Sequence, residues 1–165
     1  MSEALRHAGF KTHTDIQIEY VESEEIQMRG AGLLLESMDA ILIPGGFGDR
    51  GIEGMIDSIQ FARENNVPYL GICLGLQAAI IEFARNILNL SDANSTEFNP
   101  GTKAPVIALI TEWMNTDGSV ENRNKLSDLG GSMRLGAQEC ILSDQSLAKR
   151  IYQKDSVFER HRHRY

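Results

Sequence analysis

The run "PYLGICLGLQAAIIEFARN", residues 68–86, is the tightest constraint on what this chain can fold into. Residues 67–72, "VPYLGI", read as a short apolar strand, and "LQAAIIEFARNIL" has helical spacing of its apolar positions. Only "GICLG" separates them. A strand that runs straight into a helix must turn sharply, and nothing bulky fits beside the turning residue. Gly71-Ile72-Cys73-Leu74-Gly75 matches the pattern of a nucleophile bracketed by glycines at such an elbow. There Cys73 projects from the strand tip, beside a helix N-terminus whose unpaired N–H groups and dipole favour the thiolate. The Leu74 N–H points at an oxyanion formed on any carbonyl that Cys73 attacks. The plainer alternative makes Cys73 a small buried hydrophobe, with the glycines merely allowing close helix–strand contact. The strand–turn–helix context favours the elbow over this alternative.

The flanking segments set the architecture. "SEALRHAG" reads as a helix ending at Gly9, and "TDIQIEYV" alternates as a strand does over 14–21. "SEEIQMRGAGLLLESM" reads as one helix interrupted at Gly30 and Gly32, or as two short ones. "DAILIPGG" is a buried strand delivering a glycine loop. In "GMIDSIQFAREN", Met55, Ile56, Ile59 and Ala62 share a helical face. "KAPVIALI" is a further apolar strand. Strand, helix, strand, helix at this spacing implies parallel crossovers. The expected fold is therefore α/β, three-layer, with a mostly parallel central sheet and helices on both faces. "SDANSTEFNPGT" and "NTDGSVENRNKLSDLGG" read as polar loops, "SMRLGAQECILSD" as a hairpin at the sheet edge, and "QSLAKRIY" as a short helix. No repeat or linker interrupts the 165 residues, which read as a single domain, 1–165.

A second glycine loop, "PGGFGDRG" at 44–51, follows the strand "AILI" and so belongs at the same C-terminal sheet edge as the elbow. Gly46 is the natural source of a second oxyanion N–H. The loop has neither the Walker spacing nor the dinucleotide fingerprint, which argues against phosphate binding. A thiolate hydrolase also needs a general base held by a third group. His7 and His13 read as surface residues near the start of the chain. His161 and His163 share one strand face, with Arg160, Arg162 and Arg164 on the other. That terminal run is either an anion-binding strand or a solvated edge. No spacing places any of the four histidines as the base, and the His161/His163 pair lacks the partners of a metal site, so no metal is expected.

Net charge of −7 and a pI near 5.1 argue against a general nucleic-acid or lipid surface. No apolar run approaches a membrane span or a secretory leader. Cys73 and Cys140 are too few for a disulfide framework, so a reducing, cytoplasmic setting is expected. Cys140, in "QECILS", reads as a core thiol.

Taken together, "PGGFGDRGIEG", "PYLGICLGLQ", "ANSTEF", "DLGGSMRLGAQ" and "ERHRHRY" resemble the glutaminase domains of CTP synthases, within the class I (triad-type) glutamine amidotransferases. "GICLG" alone marks only the wider class, whereas "ANSTEF" with "GGSMRLG" and "RHRHRY" marks the narrower branch. The resemblance covers essentially the whole chain. It implies glutamine hydrolysis, with the ammonia delivered to an N-terminal synthetase (amidoligase) domain that aminates UTP to CTP. On this resemblance Cys73 is the nucleophile, Gly46 and Leu74 form the oxyanion hole, and Phe47, Gln77, Glu97 and Arg164 hold the glutamine. Arg164 would pair with the α-carboxylate and Glu97 with the α-ammonium. "GDRGIEG" resembles a lid region involved in the response to GTP, and Leu76 stands where methionine is common, a swap of similar volume. No cofactor is implied for this domain. The intact enzymes would use ATP, UTP and Mg²⁺, take GTP as an allosteric activator, and form homo-tetramers.

The chain departs from that pattern in two places. The family's catalytic histidine and glutamate lie in a "HPE" stretch downstream of "RHRHRY", and a β-strand precedes the helix "SEALRHAG". Neither is within these 165 residues. The expectation is a glutaminase domain truncated at both ends and of low activity alone. The competing expectation is a non-catalytic α/β piece, a pseudo-enzyme or assembly domain. An elbow-cysteine protein of the stress-response or peptidase type would share the fold but lack "ANSTEF" and the terminal arginine strand.

Overall fold

The structure, a computed structural model, describes residues 1–110, 112–114, 120–122, 134–163 and 165. The chain divides into two compact units, Met1–Glu82 and Phe83–Tyr165.

The first unit opens with α1, Ser2–Thr12, which ends at His13 in the left-handed region with φ 53°. The helix thus runs past Gly9, the expected stop, because Lys11 and Thr12 still suit a last turn: the Thr12 hydroxyl donates back to Ala8 O at 2.9 Å. "TDIQIEYV" is not a strand. Its alternation is real, since Ile16 and Ile18 are half-buried between exposed neighbours, but no described strand pairs with it, and extended backbone without a ladder is not a sheet. The next segment forms two short helices, α2 at Ser23–Arg29 and α3 at Ala31–Leu35, broken at Gly30 with φ 88°.

β1, Ile41–Ile43, leads through the loop 44–51 into α4, Ile52–Glu64, and then to β2, Tyr69–Gly71. The two strands pair in parallel, Ile41 with Tyr69 and Ile43 with Gly71, as a strand–helix–strand crossover requires. Ile41 N donates to Pro68 O at 2.9 Å and Ile72 N to Ile43 O at 3.0 Å, extending the ladder at both ends. Of the face read from the sequence, α4 buries Ile56, Ile59 and Ala62 and leaves Met55 half-buried; Ile52 is buried as well. Those side chains, with Ile26, Leu35, Ile41, Ile43, Leu74, Ala78 and Ile81, are the buried apolar groups of this unit. α5, Leu74–Asn86, begins directly after the elbow.

Among its described residues, the second unit contains the end of α5 and three ladders. β3, Ala93–Ser95, pairs in parallel with β4, Ala104–Ile107. β3 lies inside "SDANSTEFNPGT", which the sequence presents as a loop. Its polar letters hide a strand whose Ala93 and Ser95 are fully buried. β5, Glu112–Met114, pairs antiparallel with β6, Val120–Asn122; the rest of the loop read over 115–131 lies outside the described residues. β7, Arg134–Ile141, pairs antiparallel with β8, Ser156–His163, over eight positions. The segment 132–144, expected as a hairpin at the sheet edge, instead supplies a single strand of a separate two-stranded sheet, because its partner is the terminal "SVFERHRH" run. Between them lies α6, Leu147–Tyr152, capped by the Ser146 hydroxyl, which accepts from Lys149 N at 3.1 Å. The architecture is mixed α/β with parallel strand pairs and helices, the class expected from the sequence. Among the described residues no helix is long and apolar enough to cross a membrane.

Candidate active site

Cys73 stands between the last residue pair of the β1–β2 ladder and the first turn of α5, with φ 55°. A left-handed backbone at a non-glycine residue costs about 1–2 kcal/mol and persists only where the surroundings enforce it. The enforcement is visible. Gly75 N donates to Ile72 O at 3.1 Å and Gln77 N donates to Cys73 O at 3.1 Å, closing the turn on both sides of the cysteine. The bracketing glycines are needed sterically. A Cβ on Gly71 would lie 2.6 Å from the Gly75 carbonyl carbon, and one on Gly75 would overlap Ile43 O. The helix can start this close to the strand only because neither position carries a side chain.

The loop 44–51 comes to the same place. A Cβ on Gly45 would be 3.3 Å from Cys73 Cβ and 3.9 Å from Cys73 Sγ, and one on Gly46 would be 3.1 Å from Leu74 Cδ2. The loop backbone therefore lies against the elbow, as two C-terminal ends of parallel strands should. Phe47 is 66% exposed at its tip. Arg50, in the same loop, pairs with Glu24 of α2, and this holds the Glu24 carboxyl below its ordinary range. Gln77 is half-buried one turn into α5. Chemically, this part of the first unit offers a thiol at a helix N-terminus, backbone amides on either side of it, and an open loop above.

Glu97 belongs to the second unit, where the fold of "ANSTEF" sets its position. The buried Ser95 hydroxyl accepts from Glu97 N at 3.1 Å, Asn94 Oδ1 accepts from Ser95 N at 2.9 Å, and Thr96 N donates to Ile107 O at 2.9 Å. The polar residues of this run thus make a hydrogen-bonded turn at the end of β3 that presents a half-buried carboxylate. Arg164, the fourth residue expected to hold glutamine, lies outside the described residues. On β8 the His161 and His163 rings meet edge-on with centroids 5.1 Å apart. Cys140 is half-buried, not a core thiol, and its Sγ lies 4.0 Å from His161 Nε2. A two-stranded ribbon has too little packed above it to bury the residue fully.

Two features of the first unit escaped sequence reasoning. Tyr69 sends its hydroxyl to Gly75 O at 2.8 Å, and Arg63 of α4 grips the buried Glu82 of α5. The first had a signal: a tyrosine within an apolar strand needs a partner for its O–H. The second had none, because Glu82 follows an apolar pair and reads as a surface residue of an amphipathic helix.

A left-handed cysteine between two packed glycines is thus faced by a glycine loop on a parallel strand pair. The glutamine amidotransferase class-I family model matches residues 1–165, and the chain belongs to that family. Within the family, the chain is similar to the structure described as Trypanosoma brucei CTPS, glutaminase domain with bound acivicin. The TM-score is 0.84 and the identity 39%, over 99% of this chain and 59% of that one. The narrower resemblance to CTP synthase glutaminase domains, read from "ANSTEF" and "RHRHRY", is borne out at this level. The chain spans 59% of the length of that relative.

Proposed function

We propose that the chain is the glutamine-hydrolysing part of a CTP synthase, one partial amidotransferase domain over 1–165. The observation that carries this reading is the left-handed Cys73, pinned between Gly71 and Gly75 with the Gly45–Gly46 backbone against it. In the reaction the Cys73 thiolate adds to the γ-carbonyl of glutamine. The C–S bond forms as the carbonyl π pair moves to oxygen, where the Leu74 and Gly46 N–H groups receive the charge. Collapse of the tetrahedral adduct expels ammonia, which takes a proton from a general acid, and water then releases glutamate from the thioester. Gln77 and Phe47 border the bound amide, Glu97 pairs with the α-ammonium and Arg164 with the α-carboxylate.

The proton transfers need a histidine oriented by a carboxylate. The family's "HPE" stretch is not among these 165 residues. Their activity alone is therefore proposed to be low, since general acid–base catalysis contributes about 10²–10⁴-fold. The whole-enzyme context belongs to the same proposal: ammonia passed to an N-terminal amidoligase domain, ATP-dependent amination of UTP with Mg²⁺, activation by GTP, a homo-tetramer and a cytoplasmic setting. The alternative reading is a non-catalytic domain with an assembly role.

Ammonia release from glutamine separates the two. It is measured for the 165-residue chain and for a chain extended to include the family's first strand and the downstream "HPE" segment, each with and without Cys73→Ala. Activity in the extended chain alone, abolished by the alanine, is expected. An inactive extended chain that is folded overturns the catalytic reading. Comparable Cys73-dependent activity in the short chain overturns the proposal of low activity alone.

A further inference from the structure

Gly75 is held through both of its backbone polar groups. Its N–H donates to Ile72 O at 3.1 Å, and its C=O accepts from the Tyr69 hydroxyl at 2.8 Å. It is also packed on both sides, by the Gly71 backbone and by Ile43 O. The Tyr69 side chain rises from β2, two residues before Gly71, and crosses to the first turn of α5, so strand and helix are tied directly across the strained residue between them. Without such a tie, a left-handed cysteine relaxes by letting the first turn of the helix swing away from the strand. That swing moves the Leu74 N–H, which sits one residue from Cys73 and one from Gly75. We propose that Tyr69 is a positioning residue for the reaction, its hydroxyl fixing the first turn of α5 and with it the Leu74 donor against the Cys73 sulfur.

The inference rests on the reading of Cys73 as nucleophile and adds to it a residue that acts through the Gly75 carbonyl. A structural explanation, that Tyr69 only fills space, predicts the same packing for phenylalanine. The hydroxyl oxygen is the sole difference. Burial pushes the Tyr69 phenol up from its ordinary value, which keeps the hydroxyl protonated and a hydrogen-bond donor.

The test compares two electrophiles on Cys73 of the chain extended to include the family's first strand and the downstream "HPE" segment, read by peptide mass spectrometry. Iodoacetamide needs only an accessible thiolate. Acivicin, the glutamine analogue bound in the similar structure, must be seated, and its reacting carbon polarised, before sulfur displaces chloride. In Tyr69→Phe the acivicin rate should fall about tenfold while the iodoacetamide rate stays within about twofold, because loss of alignment, not of the thiolate, is what the hydroxyl prevents. Circular dichroism should show an unchanged helix content and a thermal midpoint close to that of the parent. Equal acivicin rates in parent and variant overturn the inference. So does a parallel loss of both rates together with a large fall in the midpoint, which marks a purely structural tyrosine. If the parent chain shows no acivicin adduct on Cys73 that excess glutamine suppresses, the nucleophile reading itself fails and the inference falls with it.

Discussion

Arg63 and Glu82 form a forked ion pair that joins the last turn of α4 to the third turn of α5. Arg63 Nε and Nη2 lie 3.0 and 2.8 Å from Glu82 Oε1, and Nε also reaches Oε2 at 3.3 Å. The two halves are unequally placed. The Glu82 side chain is 2% exposed and the Arg63 side chain 31%. The pair joins the helices that leave the glycine loop and the elbow, so it bears on the spacing of the two strand ends.

That inequality predicts an order of stabilities. Arg63→Ala takes the forked guanidinium from a carboxylate in the interior, and breaking a buried pair on that side costs up to about 3–5 kcal/mol. Glu82→Ala leaves a guanidinium that can turn to water, so it should be the milder change. Arg63→Ala combined with Glu82→Leu should recover most of the loss, since an apolar replacement for a buried pair is often neutral. Thermal melts of the three variants decide the order. Glu82→Ala proving worse than Arg63→Ala would contradict the assignment of the burden to the carboxylate.

Asp57 on α4 should give the opposite pH signature from an ion-paired acid. Its carboxyl is raised from 3.8, first by desolvation and then by Glu53 one turn earlier. Above that ordinary value, and up to its raised native value, the folded state holds the extra proton, so stability falls as pH rises through that interval. Asp57→Asn removes the penalty and the repulsion of a like charge four residues away, a gain of about 0.2–0.5 kcal/mol. Its advantage over the parent should be absent near pH 3 and present at pH 7. Unfolding midpoints across that range test the sign, and an advantage independent of pH rules out the titration.

The two cysteines should separate by environment. Both are half-buried. Cys73 lies at the N-terminus of α5, whereas Cys140 sits on the β7–β8 ribbon with His161 Nε2 4.0 Å from its sulfur. Timed iodoacetamide labelling should show Cys73 reacting faster than Cys140, and His161→Asn should slow Cys140 while leaving Cys73 unchanged. Faster labelling of Cys140 in the parent would count against an activated Cys73.

The elbow and the helices that flank it were legible because their signals are local. Glycines at 71 and 75 are demanded by atoms a few residues away, and the buried face of α4 follows from period alone. The failures are non-local. The alternation of 14–21 reports which side chains face inward and says nothing of whether a neighbouring strand exists to bond with. β3 was hidden for the converse reason: Asn94 and Ser95 look like turn residues, yet the ladder to β4 and the turn at Glu97 use the same polar groups. Glu82 was opaque because its burial depends on an arginine 19 positions earlier in the chain.

The backbone at Cys73 also bears on how such a sequence drifts. Glycine tolerates φ 55° without penalty and asparagine nearly so, whereas a Cβ-bearing thiol does not. Selection for stability alone therefore pushes this codon away from cysteine at every generation. A lineage released from chemistry would be expected to shed the thiol early, while Gly71 and Gly75, which the packing needs regardless, would stay. On the proposed catalytic role, the cysteine between these two glycines is a residue held against the preference of its own main chain.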